Sequence, residues 1–447
     1  MGPNGSIMHG TRTINDAIHG VIELEGVRAD LVTTPEFNRL CHIKQLGLAH
    51  LVFPGAHHTR FEHSLGASYV AGMIADSIGL DPEEKELVQV AGMLHDVGHG
   101  PYSHTLEHIL HERGGLDHME VTEGIIMGEI DFLPDASDSG FEDRVRIAEV
   151  LEMHGIDPKE VADLIRGPDA GGSERSLLEW VEGKEAFVTP DTTLGNIVHG
   201  SVDCDQIDYL LRDSHFTGVR HGVIDHHRLI GSLLRESDDL VIKEGGVAAL
   251  EGMLVARGLM YSAVYFHRVT RVTEIMLSRS VEHTETPALE MQPMVDAEIW
   301  EMLNHGDSVA QEMRKRLKYR RLFKTANALR RDELSSDQIS RLVEIASDRN
   351  IRLEAEARIA HRVGLNEHEV AIDVPSVKLL LSEPRVAKVD VKVLGQDGRL
   401  RWFKDHTPVA DALRSRQVSE NACYVFADSR KVDEVSRIAP KVLFAES

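Results

Sequence analysis

Cysteine is scarce in this chain of 447 residues. Cys41, Cys204 and Cys423 are the whole complement, and no two of them form a Cys-x-x-Cys pair. A disulfide framework and a thiolate zinc site are therefore excluded, and the usage fits a reducing, cytoplasmic compartment. Aromatic residues make up 5% of the chain. The core must then come mainly from Leu, Val, Ile, Ala and Met, which in long periodic stretches favour helix. Basic residues are outnumbered: 49 Lys and Arg face 73 Asp and Glu, for a formal charge of −24. Such a balance excludes a passive coat on nucleic acid. An anionic substrate has to be met by a local cluster of cations, histidines or metal. No run of about 18 apolar residues occurs, so no membrane span is expected. The Gly-x-x-x-x-Gly-Lys-Ser/Thr loop that cradles phosphates is missing as well, which argues against ATP-driven work.

What is present reads as mainly α, with too much chain for one small core. The opening MGPNGSIM formally matches an N-myristoylation pattern, but Pro3 suits it poorly and residues 1–8 read as a tag or disordered start. Asp81-Pro82-Glu83-Glu84 is a strong helix start: a capping aspartate, proline in the first turn and a carboxylate three residues after the cap. Apolar residues then recur at helical spacing to Val97, and Gly100-Pro101 breaks the pattern. Further helices are expected over residues 63–79, 158–167, 192–213, 247–283, 294–330 and 336–362, with strands rare before about 370. Beyond that point an alternating hairpin with a Gly-Gln-Asp-Gly turn, a helix over 407–417, a strand over 422–427 and a helix over 429–439 are expected. The domain reading is a core over 9–285, a helical extension with a basic segment over 286–369, and a small α+β appendage over 370–447.

Residues 94–111 read LHDVGHGPYSHTLEHILH and hold five histidines, with Asp96 beside the first. Imidazole titrates and binds metal near neutral pH. A lone histidine on an apolar helix is usually a satisfied core residue, so the dipeptide His95-Asp96 is a weak signal by itself. His63 at the start of a buried helix and Asp205 within an apolar helix strengthen it, because a buried carboxylate is costly unless paired or bound to metal. His63, His95, Asp96 and Asp205 together make a donor set of two nitrogens and two oxygens. It suits one divalent ion such as Mn, Fe, Ni, Zn or Mg, and leaves positions for water and a phosphate oxygen.

The pattern H…HD…D at these four positions resembles that of the HD-domain metal-dependent phosphohydrolases. IHGVIEL, IKQLG, FPGAHHTRFEHSLG, AGMLHDVGHGPYSH and DQIDYLLRD resemble, in order, segments of the deoxynucleoside triphosphate triphosphohydrolases within that group. The resemblance runs over about residues 14–330. It implies an HD-domain helical core that hydrolyses a dNTP at the α-phosphate. His63, His95, Asp96 and Asp205 match its metal ligands. His99, His104, Glu107 and His118 match catalytic positions, with Glu107 orienting His104 where the family usually has an aspartate. Gln45, Leu46 and Asp213 match residues at the sugar, Tyr209 and Tyr265 match rings walling sugar and base, and Arg60, Arg257 and Arg268 match cations along the triphosphate. A further Mg ion could accompany the triphosphate.

Two departures stand out. Gln206 occupies a position where a family member has a phosphate-binding lysine. Thr33, Asn38 and Cys41 stand where guanine is read by an acid, an amide and an arginine, which speaks against guanine activation of that kind. By contrast, YRRLFK resembles a segment gripping regulatory nucleotide phosphates between subunits, so Arg320, Lys324 and Arg228 become regulatory candidates and a homo-oligomer is implied. Residues 314–331 carry nine basic side chains in an otherwise acidic chain. Their plain reading is a solvated helix face. Two other functions compete: a nucleotidase or phosphodiesterase of the same superfamily, and a nucleic-acid-binding or nucleotide-sensing protein with a vestigial core.

Overall fold

A computed structural model describes residues 10–131, 145–167, 192–236, 238–374, 391–410, 412 and 421–444, without the side chains of Ser103, His104 and His108. The helical core is organised around α1 (Arg60–Ile78) and α2 (Pro82–Leu94), which pack against each other. Small residues make α1 buried nearly all round: Gly66, Ala67, Ser68, Ala71 and Gly72 let neighbouring helices approach closely. Asp81 caps α2 as expected, accepting from the backbone N–H groups of Glu83 and Glu84 at 2.9 Å each. Helix α3 (Ser103–Glu112) and α4 (His118–Ile126) follow, and α5 (Cys204–Thr217) crosses α1. Next come α6 (Val247–Met260), a π-helical turn over Tyr261–Tyr265, α7 (Arg268–Glu282), α8 (Ser308–Lys318), α9 (Ser336–Ser347) and α10 (Arg349–Val363), with α11 (Val432–Leu443) last.

Several long helices expected from periodicity are broken. The stretch 192–213 is two helices, because Gly200 and Ser201 interrupt it and Asp203 caps a new start by accepting from the Gln206 backbone at 2.7 Å. The stretch 247–283 is split by the π turn, with His267 capping α7. The stretch 336–362 is divided at Asp348, which caps α10. The stretch 294–330 holds a helix over Asp296–Asn304, then α8, then a strand rather than more helix.

Strands before residue 370 are also more frequent than expected. β1 (Arg12–Asp16) and β2 (Gly20–Leu24) form an N-terminal hairpin. β3 (Leu233–Glu236) and β4 (Asp239–Lys243) pair antiparallel, β5 spans Lys324–Arg330, and β6 spans Val370–Asp373. The expected late hairpin is present as β7 (Lys392–Leu394) and β8 (Leu400–Trp402), with Gly398 in the left-handed region at φ 73°. β9 (Asn421–Ala427) completes the set. The C-terminal chain does not fold apart: β7 pairs parallel to β4, and β9 lies between β5 and β6. Residues 1–9, the helix expected at 407–417 beyond Ala410 except Ala412, and the start of the late hairpin lie outside the described residues.

One stretch, Glu244–Tyr265, is by length and composition apolar enough to cross a membrane, which the sequence reading did not register. Its Leu250, Met253, Leu254 and Met260 are all fully enclosed by the helical core, and it carries Glu251 and Arg257. One face of it is packed into the core.

Candidate active site

The site forms where α1, the end of α2 and the start of α5 converge. Thr59 and Glu62 make a capping box that begins α1 and puts His63 in its first turn. His95 is the residue that ends α2, so Asp96 emerges in the turn after it. Donor atoms of His63, His95 and Asp205 lie within 4.8 Å of one another. Asp96 completes the group, with Oδ1 3.3 Å from His95 Nε2 and Oδ2 3.9 Å from His63 Nε2.

Both histidines are oriented from behind. His95 Nδ1 donates to the Gly92 carbonyl at 2.8 Å, and His63 Nδ1 donates to Asp208 Oδ2 at 2.8 Å. Each Nε2 thereby faces the carboxylates, with His63 Nε2 3.0 Å and His95 Nε2 3.7 Å from Asp205 Oδ1, and neither has a hydrogen-bond partner of good geometry although both atoms are buried. An orphaned pair of imidazole nitrogens facing two carboxylates is a poor hydrogen-bonding arrangement and a good divalent-cation site. The electrostatics agree. Burial opposes charge on His63, but the carboxylates of Asp205 and Asp208 outweigh it and push its pKa up to about 10. Burial likewise opposes ionisation of Asp96, yet His95, Arg60 and His99 hold its carboxyl well below the usual range. The cluster thus favours positive charge, which a proton on His63 or a bound cation supplies.

Around the donors, Arg60 at the first position of α1 pairs with Asp96 Oδ2. His99 Nε2 lies 3.2 Å from Asp96 Oδ1, and its ring stacks on His118 with centroids 4.2 Å apart. The stack depends on Gly98: a Cβ there would sit 2.4 Å from the Thr122 nitrogen and 2.5 Å from the His118 carbonyl. Arg39 fastens the same turn, donating to the His99 carbonyl at 2.9 Å and to carbonyls of Gln292, Pro293 and Met294. Tyr102 then turns the chain into α3 with a left-handed backbone, φ 49°. Glu107 pairs with His118 Nδ1 at 2.6 Å, a contact that sequence reasoning did not foresee. The His104 side chain, expected to be its partner, lies outside the described residues.

A cavity of about 380 Å³ is lined by Arg60 and, from the sequence candidates, Gln45, Leu46, Tyr209, Asp213 and Tyr265. Asp205, Tyr209 and Asp213 succeed one another at four-residue spacing and so share one face of α5. Both oxygens of Asp213 are engaged, Oδ1 by His58 Nε2 at 2.8 Å and Oδ2 by the Tyr265 hydroxyl at 2.5 Å. Lys44, Tyr261, Thr270, Arg271 and Glu274 also line this cavity and were not anticipated, since single residues on helix faces carry no local signal.

Two expected phosphate cations do not line this cavity. Arg268 is exposed at the first position of α7 and does not line the cavity. Arg257 is buried, outside the cavity lining, with its guanidinium 6.0 Å from the Tyr261 ring. Gln206 explains its position: the side-chain carbonyl accepts from Arg257 Nη1 at 2.9 Å, while the amide donates to Asp203 Oδ2 at 2.8 Å and the Gly200 carbonyl at 2.9 Å. Gln206 thus holds an arginine in place.

Arg320 and Lys324 share a second cleft of about 670 Å³ with Lys315, Arg316, Arg321 and Arg430. Acids accompany them: Arg316 bridges Glu312 at 2.8 Å and Asp428 at 2.7 Å. Arg228 does not line this cleft; its guanidinium donates to the Gly245 carbonyl at 3.1 Å.

A family model for the HD domain matches residues 60–166, and one for the HD associated region matches residues 224–446. An uncharacterized protein of Methanocaldococcus jannaschii is 28% identical over 432 residues, spanning 95% of this chain and 81% of that protein. The human deoxynucleoside triphosphate triphosphohydrolase SAMHD1 is 30% identical over 296 residues, which is 60% of this chain and 44% of the human protein. This chain therefore spans less than half the length of that relative. The crystal structure of a phosphohydrolase from Bacteroides thetaiotaomicron superimposes with a TM-score of 0.67 at 25% identity, covering 94% of this chain and 100% of that one.

Proposed function

Because this chain belongs to the HD-domain phosphohydrolases, in the branch that includes deoxynucleoside triphosphate triphosphohydrolases, we propose that it hydrolyses dNTPs at the α-phosphate. What supports this reading is the single stripe on α5 that carries Asp205, grouped with His63 and His95, and then Tyr209 and Asp213, which line the cavity. His63, His95, Asp96 and Asp205 would hold a divalent ion, which would supply charge neutralisation for the phosphate oxygens. Arg60 adds a fixed cation at the same place. His99 and His118, stacked side by side, face the phosphates, and with His104 they bring a base or acid within reach of the reacting atoms. Water adds to the α-phosphorus, the bond to the 5′ oxygen breaks, and that oxygen takes a proton to leave as the deoxynucleoside hydroxyl. Inorganic triphosphate is the other product. Asp213, positioned by His58 and Tyr265, receives the sugar 3′-hydroxyl, and Leu46 crowds the place of a 2′-hydroxyl.

Incubation with each dNTP, NTP and monophosphate in the presence of Mg, Mn, Fe, Co or Ni tests this. Deoxynucleoside and triphosphate are the expected products. Orthophosphate as the sole inorganic product would instead establish the nucleotidase reading.

The cleft at Arg320 and Lys324 favours a second element, a regulatory nucleotide held at an interface of a homo-oligomer. Charge reversal at Lys324 is expected to abolish activation by added nucleotide while sparing the basal rate. Equal activation in Lys324→Glu and the unchanged protein would remove the cleft from regulation.

A further inference from the structure

We infer that Asp208 is a positioning residue for the metal cluster and that it makes the N-terminal hairpin, through His19 and Asp16, part of that site. The inference rests on the reading that His63, His95, Asp96 and Asp205 hold a divalent ion.

Asp208 follows Asp205 by three residues on α5 and is fully enclosed, with no side-chain exposure. Its oxygens are saturated. Oδ2 accepts from His63 Nδ1 at 2.8 Å and from Arg212 Nε at 2.8 Å. Oδ1 lies 2.6 Å from His19 Nε2 and accepts from Arg212 Nη2 at 2.9 Å. Arg212, also fully enclosed, continues to Asp16, with Nη1 2.7 Å from Oδ2. Asp16 in turn accepts from the backbone N–H groups of Ile18 and His19 at 3.0 and 2.9 Å, which sets the turn between β1 and β2. The His19 ring rests on Tyr69 of α1 with centroids 5.0 Å apart. A continuous buried chain therefore runs from the hairpin turn through Arg212 and Asp208 to the back of His63.

Its effect on His63 is specific. A carboxylate at Nδ1 requires the proton there, leaves the lone pair on Nε2, and raises the basicity of that nitrogen more than a carbonyl does. His95 has only a carbonyl in the corresponding place. Stability alone is a weak reason for this arrangement, since a buried ion network gives little net stabilisation compared with apolar packing. The chain also accepts Gly66 in the middle of α1, at a cost of about 1 kcal/mol relative to alanine. A Cβ there would sit 1.9 Å from Asp208 Oδ1 and 2.4 Å from Arg212 Nη2. Two unfavourable features thus meet at one contact, and that contact bears on a cluster histidine.

The test is Mn²⁺ affinity, measured by chelator competition on the full chain without nucleotide, for the unchanged protein, Asp208→Asn and His19→Gln. Asp208→Asn is expected to weaken Mn²⁺ binding by about 10–100-fold, the range found when such supporting groups are removed. His19→Gln, at a hairpin turn and outside the α-helical core, is expected to weaken it several-fold with unchanged circular dichroism. In both, excess Mn²⁺ restores turnover at the original kcat, which a general folding defect would not do. Unchanged Mn²⁺ affinity in His19→Gln overturns the hairpin's part, and in both variants overturns the inference entirely. An unchanged protein that takes up no divalent metal overturns the metal reading beneath it.

Discussion

Replacing His95 or Asp96 by alanine is expected to remove metal and turnover together. His95 Nε2 stands between two carboxylates, 3.3 Å from Asp96 and 3.7 Å from Asp205. Without it a divalent ion loses one of the two imidazole donors grouped with Asp205. Asp96→Ala acts more widely. It removes a donor, the ion-pair partner of Arg60 and the contact to His99 Nε2, whose imidazole burial keeps neutral. Several kcal/mol of charge stabilisation would go with the ion, which translates into a fall in kcat of about 10³-fold or more. Metal content by inductively coupled plasma mass spectrometry and product formation should fall in parallel, with the melting temperature measured in both forms as a control for folding. A metal-free variant with full turnover would sink the site.

The candidate metal donors stood out in the sequence because they break local rules. Asp205 was expected inside a long apolar helix and instead lies in the first turn of α5, and His95-Asp96 ends a helix whose start is announced by Asp81-Pro82. Asp208 was not legible, although it lies in the same DQIDYLLRD segment. Its meaning comes from His63 and His19, which are 145 and 189 residues away in the chain, and neither contact leaves a periodic trace. The same holds for Glu107, whose pairing with His118 depends on the close approach that Gly98 allows between the post-α2 turn and α4. The helix expected through residue 330 failed for a related reason. Residues 324–330 gain a ladder with β9, about a hundred residues downstream, and that pairing overrides a helical propensity which is only a weak prior. Gln206 was visible as a departure, but its consequence for Arg257 required the fold.

Arg279→Met is expected to destabilise the protein by about 3–5 kcal/mol, the usual cost of breaking one side of a buried ion pair. Arg279 on α7 is 5% exposed and Glu356 on α10 is 1% exposed. Arg279 Nη2 donates to Glu356 Oε2 at 2.5 Å, and Glu356 Oε1 accepts from the Ile372 backbone of β6 at 2.8 Å. Removing the guanidinium leaves that carboxylate enclosed without its cation. Replacing both partners, Arg279→Met with Glu356→Leu, removes the charge altogether, and most of the loss is expected to return. Urea denaturation distinguishes these cases through the midpoint and slope. A single variant that loses less than about 1 kcal/mol, or a double variant no better than the single, would show that the pair does not hold this joint. The joint bears on the cavity as well. α7 presents Thr270, Arg271 and Glu274 to it, and Arg271 reaches Asp373 of β6, with Nη2 2.8 Å from Oδ1. Two arginines on one helix thus tie a cavity wall to a sheet completed by the last strand of the chain. If the proposed reaction holds, loosening the Arg279 tie is expected to raise KM for the nucleotide before it lowers kcat, because the candidate metal donors belong to α1, the end of α2 and α5 and keep their packing.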